Sequence, residues 1–248
     1  MFQTIRNAWR VPELKKKMLF TVMALLIFRL GSAIPVPYIN GAALEEYLRS
    51  QSGTILDLLN AMSGSAFSMA TVFALSIQPY INSSIIIQLL TVAIPALERL
   101  ARDGGEEGRK KIASITRYTT VAIALLQGFG YYSLVKSYAN GQLIDNAEMP
   151  GWWVGLVIVI SFTAGSAFLM WLGEQITEFG IGNGISIILF AGIVSRFPQM
   201  IKDSISGVQI WSNINSGAVS VDTYTALGMS AEQAKESFEA MQARALAP

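Results

Sequence analysis

The sequence predicts an all-α membrane protein with five transmembrane helices and one short re-entrant helix. Of its 248 residues, 52% are hydrophobic and only 14% are charged, whereas a soluble domain carries about 25% charged residues. Five apolar segments approach the roughly 20 residues that an α-helix needs to cross a hydrocarbon core about 30 Å thick. Lysine and arginine are concentrated in two stretches, which lie on the same side of a membrane if two spans separate them.

The five apolar segments differ in how clearly they are expected to span. The first is long and ends without a small-residue cleavage site, so it is not expected to be a signal peptide. It contains Arg29, which should face the bundle interior or a wet cavity, or else extend outward to the interface. The fifth has an apolar run only from Ile185 to Val194 and needs shielding by other helices. In order, the segments are Met18–Pro37, Val72–Ile94, Ile112–Val135, Trp152–Leu172 and Gly184–Pro198.

The basic residues predict the orientation. One group precedes the first span, and a second, which includes Arg109, Lys110 and Lys111, forms a basic loop between the second and third spans. The positive-inside rule then predicts a multi-pass protein of the cell membrane with its N-terminus and this loop in the cytoplasm. The predicted parts are a cytoplasmic basic N-terminus (1–17), the five-helix membrane region (18–200) and a polar extracytoplasmic tail (201–248). In the tail, the capping-box pattern Ser230–Gln233 predicts a short helix.

Residues Ile55–Met69 fit neither a loop nor a span. The segment carries Leu58, Leu59 and Met62, and it then loosens through Ser63, Gly64 and the serine that follows. One interpretation is a helix that lies in the membrane interface. The other is a short re-entrant helix packed inside the bundle, where irregular backbone is tolerated because protein or water surrounds it.

The second span is unusually polar for a membrane helix. Between Ser76 and Leu90 it contains two glutamines, an asparagine, three serines and a proline, and each polar group needs a partner in the membrane. These side chains either form hydrogen bonds between helices or line a polar pathway. Further along, glycines at 180, 182 and 184 predict a tight turn into the fifth helix, with Asn183 as its cap.

The composition also excludes several kinds of chemistry. The chain has no cysteine and no histidine, which excludes thiol and imidazole catalysis and most zinc and haem ligation. The glycine-rich turn is not expected to bind a nucleotide, because no strand precedes it and no P-loop lysine follows. We therefore expect no cofactor, no metal and no enzymatic activity.

Four stretches of the sequence carry distinctive motifs: Phe28–Pro37, Ser76–Leu90, Gly108–Ile112 and Leu169–Ser186. Together they resemble the SecY/Sec61-alpha family of protein-conducting channels. The resemblance covers about residues 10–198 and does not extend to the tail. It implies one half of a ten-helix clamshell, built from two inverted five-helix halves with a pore at their junction.

The resemblance also implies roles for individual residues. The i,i+4 pairs Ile77 and Ile81, and Ile185 and Leu189, fall at positions of the aliphatic pore ring, which excludes water and ions. Asn82 and Gln127 fall where the family keeps polar residues at a lateral gate toward lipid. Ile55–Met69 matches the plug that blocks the resting pore, with these candidate residues: Leu58, Leu59, Met62, Ser63, Gly64 and Phe67.

The implied function is conduction of unfolded polypeptides across the membrane and lateral release of membrane helices into lipid. The implied partners are a nascent or secretory polypeptide, SecE- and SecG-like small membrane subunits, a SecA-like motor and the ribosome. Helices six to ten would form the missing half, because a lone half leaves its polar face exposed to lipid. The alternatives are a fragment of a secondary solute transporter, which needs a carboxylate within a span, and a truncated interaction fragment that does not conduct.

Overall fold

The computed structural model of the chain describes residues 11–50, 55–137, 144, 150–198, 201–202, 205, 208, 212 and 235–240. Within these residues the regular structure is helical, apart from isolated antiparallel bridges that join Pro35 to Thr71 and Ile39 to Ile144. The named helices of the described part are α1 Pro12–Gly31, α2 Gly41–Ser50, α3 Ile55–Met62, α4 Gln78–Ala93, α5 Pro95–Arg102, α6 Gly105–Ser137, α7 Gly151–Phe179 and α8 Gly184–Ser195.

Prolines set the start of three of these helices. Pro12, Pro79 and Pro95 each lie in the first turn of a helix, where a missing N–H costs no hydrogen bond. Pro95 also separates α4 from α5, because the residue before it, Ile94, is extended with φ −108° and ψ 114°. The two helices consequently meet at an angle of 101°.

The second apolar segment was predicted to be helical from its start at Val72, but its first residues are not helical. Residues 71–77 form turns, and α4 begins only at Gln78. Tertiary contacts explain the difference: Val72 N–H donates to the Ile34 carbonyl in the bridge, and Ser76 adopts a positive φ of 52°. The first segment ends early for the same reason, since α1 stops at Gly31 and the chain then enters this bridge.

Two predicted loops are helical. The basic residues Arg109, Lys110 and Lys111 lie in the first turns of α6, where all three are exposed, and not in a loop. The connection between the fourth and fifth apolar segments, 173–183, is helical as far as Phe179, because α7 continues past its apolar part. Polar residues after an apolar run do not end a helix when neighbouring helices still pack against it, and α7 packs against both α1 and α6.

The buried residues form two apolar clusters. The first surrounds Phe67, Tyr131 and Phe162 and joins α2, α6 and α7 to the residues before α4. The second surrounds Phe28, Ile77 and Ile188 and joins α1, α7 and α8. Both lie within the unit Met1–Val194; the remaining unit is Ser195–Pro248. In the latter, residues 235–240 are helical, whereas the predicted cap Ser230–Gln233 lies outside the described residues.

Helix α7 is the one described helix that is long and apolar enough to cross a membrane by itself, and α4 with α5 meets the same criterion as a bent pair. Helix α1 has 20 residues but holds Lys15, Lys16 and Lys17 near its start and Arg29 in its last turn. Helix α8 is strongly apolar but has only 12 residues. The count of five spans stays a prediction.

Candidate functional site

Residues 55–70 contain the predicted plug Ile55–Met69, and we call them the plug segment after that prediction. Several of their polar side chains bond within the segment. The side-chain oxygen of Asn60 accepts from Ser68 N–H at 3.0 Å. The Ser63 hydroxyl donates to the Asn60 carbonyl at 3.1 Å and accepts from Phe67 N–H at 3.0 Å. Gly64 turns the chain after α3 with φ 66°, a conformation in which glycine is unstrained. Asn60, Ser63, Gly64 and Phe67 are buried, so the segment packs into the bundle more than an interfacial helix would.

Helices α6 and α8 hold the plug segment through its backbone. The Tyr131 hydroxyl donates to the Phe67 carbonyl at 2.6 Å, and the two rings meet edge to face at 4.9 Å. On α8, a Cβ atom at Gly192 would lie 2.6 Å from the Met62 carbonyl oxygen. Leu58 is 60% exposed and contributes least to this packing, whereas Leu59 and Met62 are half-buried.

The pore-ring candidates lie together in the second apolar cluster. Ile77 is 1% exposed and belongs to its buried core. It caps α4 instead of lying inside that helix, although Ile81 N–H still donates to its carbonyl at 3.2 Å. Ile81, Ile185 and Leu189 are half-buried around this core. A Cβ at Gly173 would lie 3.3 Å from Ile77 Cδ1 and 3.5 Å from Ile185 Cγ1, so the two isoleucines approach each other over this glycine.

The glycine-rich turn positions α8 as the sequence predicts. The Asn183 side-chain oxygen accepts from Ile185 N–H at 3.0 Å and from Ser186 N–H at 3.3 Å, which caps the helix. Gly182 has φ 73°. Gly184 packs directly against the Gly173 carbonyl, where no Cβ would fit. This close contact brings Ile185 and Leu189 beside α7.

A cavity of about 350 Å³ lies between the plug segment, α4 and α6. The lateral-gate candidates Asn82 and Gln127 both line it, together with plug residues and Tyr131. Asn82 and Gln127 therefore share one space with the plug segment. The lining residues are Leu56, Leu59, Met62, Phe67, Ala74, Leu75, Ser76, Gln78, Asn82, Gln127, Gly130, Tyr131 and Leu134.

The polar face of α4 has two uses. The Ser83 hydroxyl is fully buried and donates to the Thr116 carbonyl of α6 at 2.8 Å, which is the helix–helix hydrogen bond that the sequence analysis offered as one interpretation. Asn82 faces the cavity instead. Gln88 donates to Ser84 one turn earlier at 3.2 Å.

An ion pair between α6 and α7 was missed by the sequence analysis. Arg117 Nη2 lies 2.9 Å from Glu174 Oε2, and Arg117 Nε lies 3.0 Å from Glu174 Oε1. The bond is bidentate, which fixes both position and angle of the two groups. A sequence signal existed, because Arg117 stands just inside one apolar segment and Glu174 just beyond another.

Arg29 does not face the bundle interior. It lies in the last turn of α1, two residues before the helix ends at Gly31, and its side chain is exposed. The apolar side of α1 that packs inward is formed by Ala24, Phe28 and Gly31. Arg29 follows Phe28 directly and therefore points away from that side, in line with the alternative of an outward-extended arginine.

The described residues contain no cluster of three or more carboxylate, histidine or cysteine groups that could hold a metal ion. The site consists of packing surfaces: an apolar cluster, a hydrogen-bonded segment and a cavity with two amide side chains. These features define the class of protein: an all-helical bundle, apolar on its exterior, with a short helix and its turns inserted among the longer helices.

Comparisons with known proteins identify the family. The model of the SecY family matches residues 71–234, which is more than half of the chain. The chain is 49% identical over 205 residues to the protein translocase subunit SecY of Escherichia coli (strain K12), covering 82% of this chain and 45% of that protein. It is 46% identical over 202 residues to the protein translocase subunit SecY of Bacillus subtilis (strain 168), covering 81% and 45%. The chain belongs to the SecY family.

A solved structure shows the same fold. Sec61 in the canine ribosome-channel complex from the endoplasmic reticulum aligns with a TM-score of 0.54, covering 84% of this chain and 43% of that one at 18% identity. The chain thus spans about half the length of the relatives it matches, and a little less than half of the three proteins named here.

Proposed function

We propose that this chain is the N-terminal half of a protein-conducting channel, through which unfolded polypeptides cross the membrane and membrane helices leave laterally into lipid. The observation that carries the proposal is the convergence of four aliphatic side chains, Ile77, Ile81, Ile185 and Leu189, from two separate parts of the sequence in one apolar cluster. Such side chains offer no hydrogen bonds to water or ions, so a constriction that they line excludes small solutes, yet it can flex around a passing chain.

The plug segment supports the same function. It lies against the first apolar cluster, next to the residues that lead into Ile77. The bonds that Asn60 and Ser63 make within the segment can persist when it moves, so only its bonds to other parts of the chain, such as the one from Tyr131 to the Phe67 carbonyl, must break. The cavity beside it has one amide group on α4 and one on α6, Asn82 and Gln127, and the gap between these two helices is the proposed lateral gate.

The proposed five spans are α1, α4, α6, α7 and α8. Helix α4 rises about 24 Å and α8 about 18 Å at 1.5 Å per residue, less than the roughly 30 Å of a hydrocarbon core. The proposed second span also includes residues 71–77, which precede α4 and are not helical. Their side chains are mostly buried in protein, which is the condition under which irregular backbone is tolerated at membrane depth. The exposed Arg109, Lys110 and Lys111 support a cytoplasmic location of the α5–α6 end.

The proposed partners follow from the exposed apolar surface of the described helices. Large apolar side chains of α1, α4 and α8 are exposed, among them Leu30, Leu89 and Phe190, and lipid, helices six to ten of the channel and SecE- and SecG-like subunits would cover them. A SecA-like motor or a ribosome would supply the driving force, since the chain is proposed as a conduit and not as an enzyme. The transporter alternative is less favoured, because Glu174, the carboxylate nearest the apolar part of α7, is bound to Arg117.

Crosslinking tests this proposal. A photoreactive amino acid is placed at Ile81, at Ile185 or, as control, at Phe190, which lies on α8 and is 67% exposed. With a stalled secretory polypeptide in native membranes, adducts are expected from Ile81 and Ile185 and not from Phe190. Equal adducts from all three positions would contradict a pore at this cluster, and no adduct at all would favour the fragment that does not conduct.

A further inference from the structure

Helix α8 carries a glycine where the plug segment rests on it. Gly192 is buried, and a Cβ atom there would lie 2.6 Å from the carbonyl oxygen of Met62, the last residue of α3. Real Cβ atoms essentially never come within 3.0 Å of a non-bonded heavy atom from another part of the structure. The end of α3 therefore packs on the backbone of α8 at a point that admits only a hydrogen atom.

The plug segment cannot relieve a clash at this point by a small local change. The same Cβ position lies 3.7 Å from the backbone nitrogen of Gly64, whose φ is 66°. Ser63 stands between the two contacts, and its hydroxyl bonds both the Asn60 carbonyl and Phe67 N–H. Because these bonds join α3 to the following turns, a displacement of Met62 carries the rest of the segment with it.

A second support acts from α6. The buried Tyr131 hydroxyl donates to the Phe67 carbonyl at 2.6 Å. The plug segment is thus held at two carbonyl groups, one at the end of α3 and one in the middle of the turns that follow. The α6 contact is a hydrogen bond, which fixes the distance between the Tyr131 hydroxyl and the Phe67 carbonyl. The α8 contact, which we call the seat, is steric and limits how closely the Met62 carbonyl can approach α8.

We propose that Gly192 is a positioning residue that sets the resting position of the plug segment. Any side chain at this position forces the Met62 carbonyl away from α8 by several tenths of an ångström, and the segment tilts about its bond to Tyr131. This inference rests on the proposed function in one respect: a displaced plug segment opens the conduit only if the chain forms a channel. The seat itself is a matter of packing and can be tested without any polypeptide substrate.

The absence of cysteine in the chain allows a clean test by thiol labelling. Ser68→Cys places a thiol in the plug segment and Ser166→Cys places one in α7; both serines are 2% exposed. The rate of reaction with N-ethylmaleimide is measured in native membranes for each reporter, alone and combined with Gly192→Ala or Gly192→Val. Gly128→Ala is the matched control, because Gly128 is also buried within a helix but its Cβ would come no closer than 3.4 Å to other atoms.

We expect Gly192→Ala to raise the labelling rate of the Ser68→Cys thiol about tenfold, and Gly192→Val to raise it further, since overpacking a filled site shifts an equilibrium by roughly 5- to 150-fold. The Ser166→Cys rate and all rates with Gly128→Ala should change less than about twofold. Unchanged labelling of the plug thiol in both Gly192 variants would overturn the proposal. An equal rise at both reporters would also overturn it, because the whole bundle would then be loosened.

The result is separable from that of the crosslinking experiment. If the plug thiol becomes reactive and Ile81 and Ile185 give no adduct, the seat at Gly192 stands and the channel function fails. If adducts form and the thiol stays protected, the channel stands and Gly192 has no positioning role.

Discussion

Replacing Tyr131 with phenylalanine isolates a single hydrogen bond to the plug segment. The variant keeps both ring contacts, with Phe67 at 4.9 Å and Phe162 at 4.7 Å, and removes only the hydroxyl that donates to the Phe67 carbonyl. That carbonyl also accepts from Ala70 N–H at 3.2 Å, so it is not left without a donor. The loss is then the net value of one hydrogen bond, about 1 kcal/mol, and not the larger cost of an unsatisfied buried group, which is about 1–3 kcal/mol.

The adjacent tyrosine provides the control. The Tyr132 hydroxyl makes a long bond of 3.4 Å to the Gly151 carbonyl in an exposed place, so Tyr132→Phe should change stability by less than about 0.5 kcal/mol. Unfolding of the purified chain in mixed micelles, followed by helical circular dichroism during titration with SDS, measures both variants against the parent. Equal effects of the two substitutions would refute the reasoning, and a loss above about 3 kcal/mol from Tyr131→Phe would show that the Ala70 bond does not protect the carbonyl.

Three further predictions concern the helix contacts around the site. Glu174→Gln should cost only about 0.5 kcal/mol, because Arg117 is half exposed, and the loss should shrink in high salt; a salt-independent loss in SDS titrations would argue against an ionic origin. Asn183→Ala should destabilise α8 by about 1 kcal/mol, whereas Asn183→Asp should keep the cap; equal losses in the same titration would exclude a capping role. Gly184→Ala should cost more than about 3 kcal/mol or prevent folding, since its Cβ would overlap a backbone carbonyl of α7, while Gly128→Ala stays near the parent in yield and melting.

Several features were predictable because local rules and tertiary structure agree. The Asn183 cap and the turn at Gly182 follow from residue types that suit those backbone positions. Family motifs pointed to Ile77 and Ile185 as neighbours, and the structure brings both against Gly173.

Other features depend on distant partners and could not be predicted from local pattern. Val72 and Ser76 belong to an apolar run that resembles the start of a helix, yet the bridge to Ile34 and the positive φ of Ser76 keep that stretch out of it. Arg117 and Glu174 are 57 residues apart, so neither residue alone indicates the other. The outward direction of Arg29 is decided by which side of α1 packs inward, and its weak amphipathic pattern does not reveal that side.

Besides its side-chain packing, the plug segment is supported through main-chain atoms. Both of its supports act on carbonyl oxygens, those of Met62 and Phe67, which every amino acid possesses. Substitutions on the exposed side of α3, for example at Leu58, leave these supports intact, so that side should tolerate many amino acids. The helices that hold the segment should tolerate few at Gly192 and Tyr131, because one added methyl group or one lost oxygen atom alters the contact.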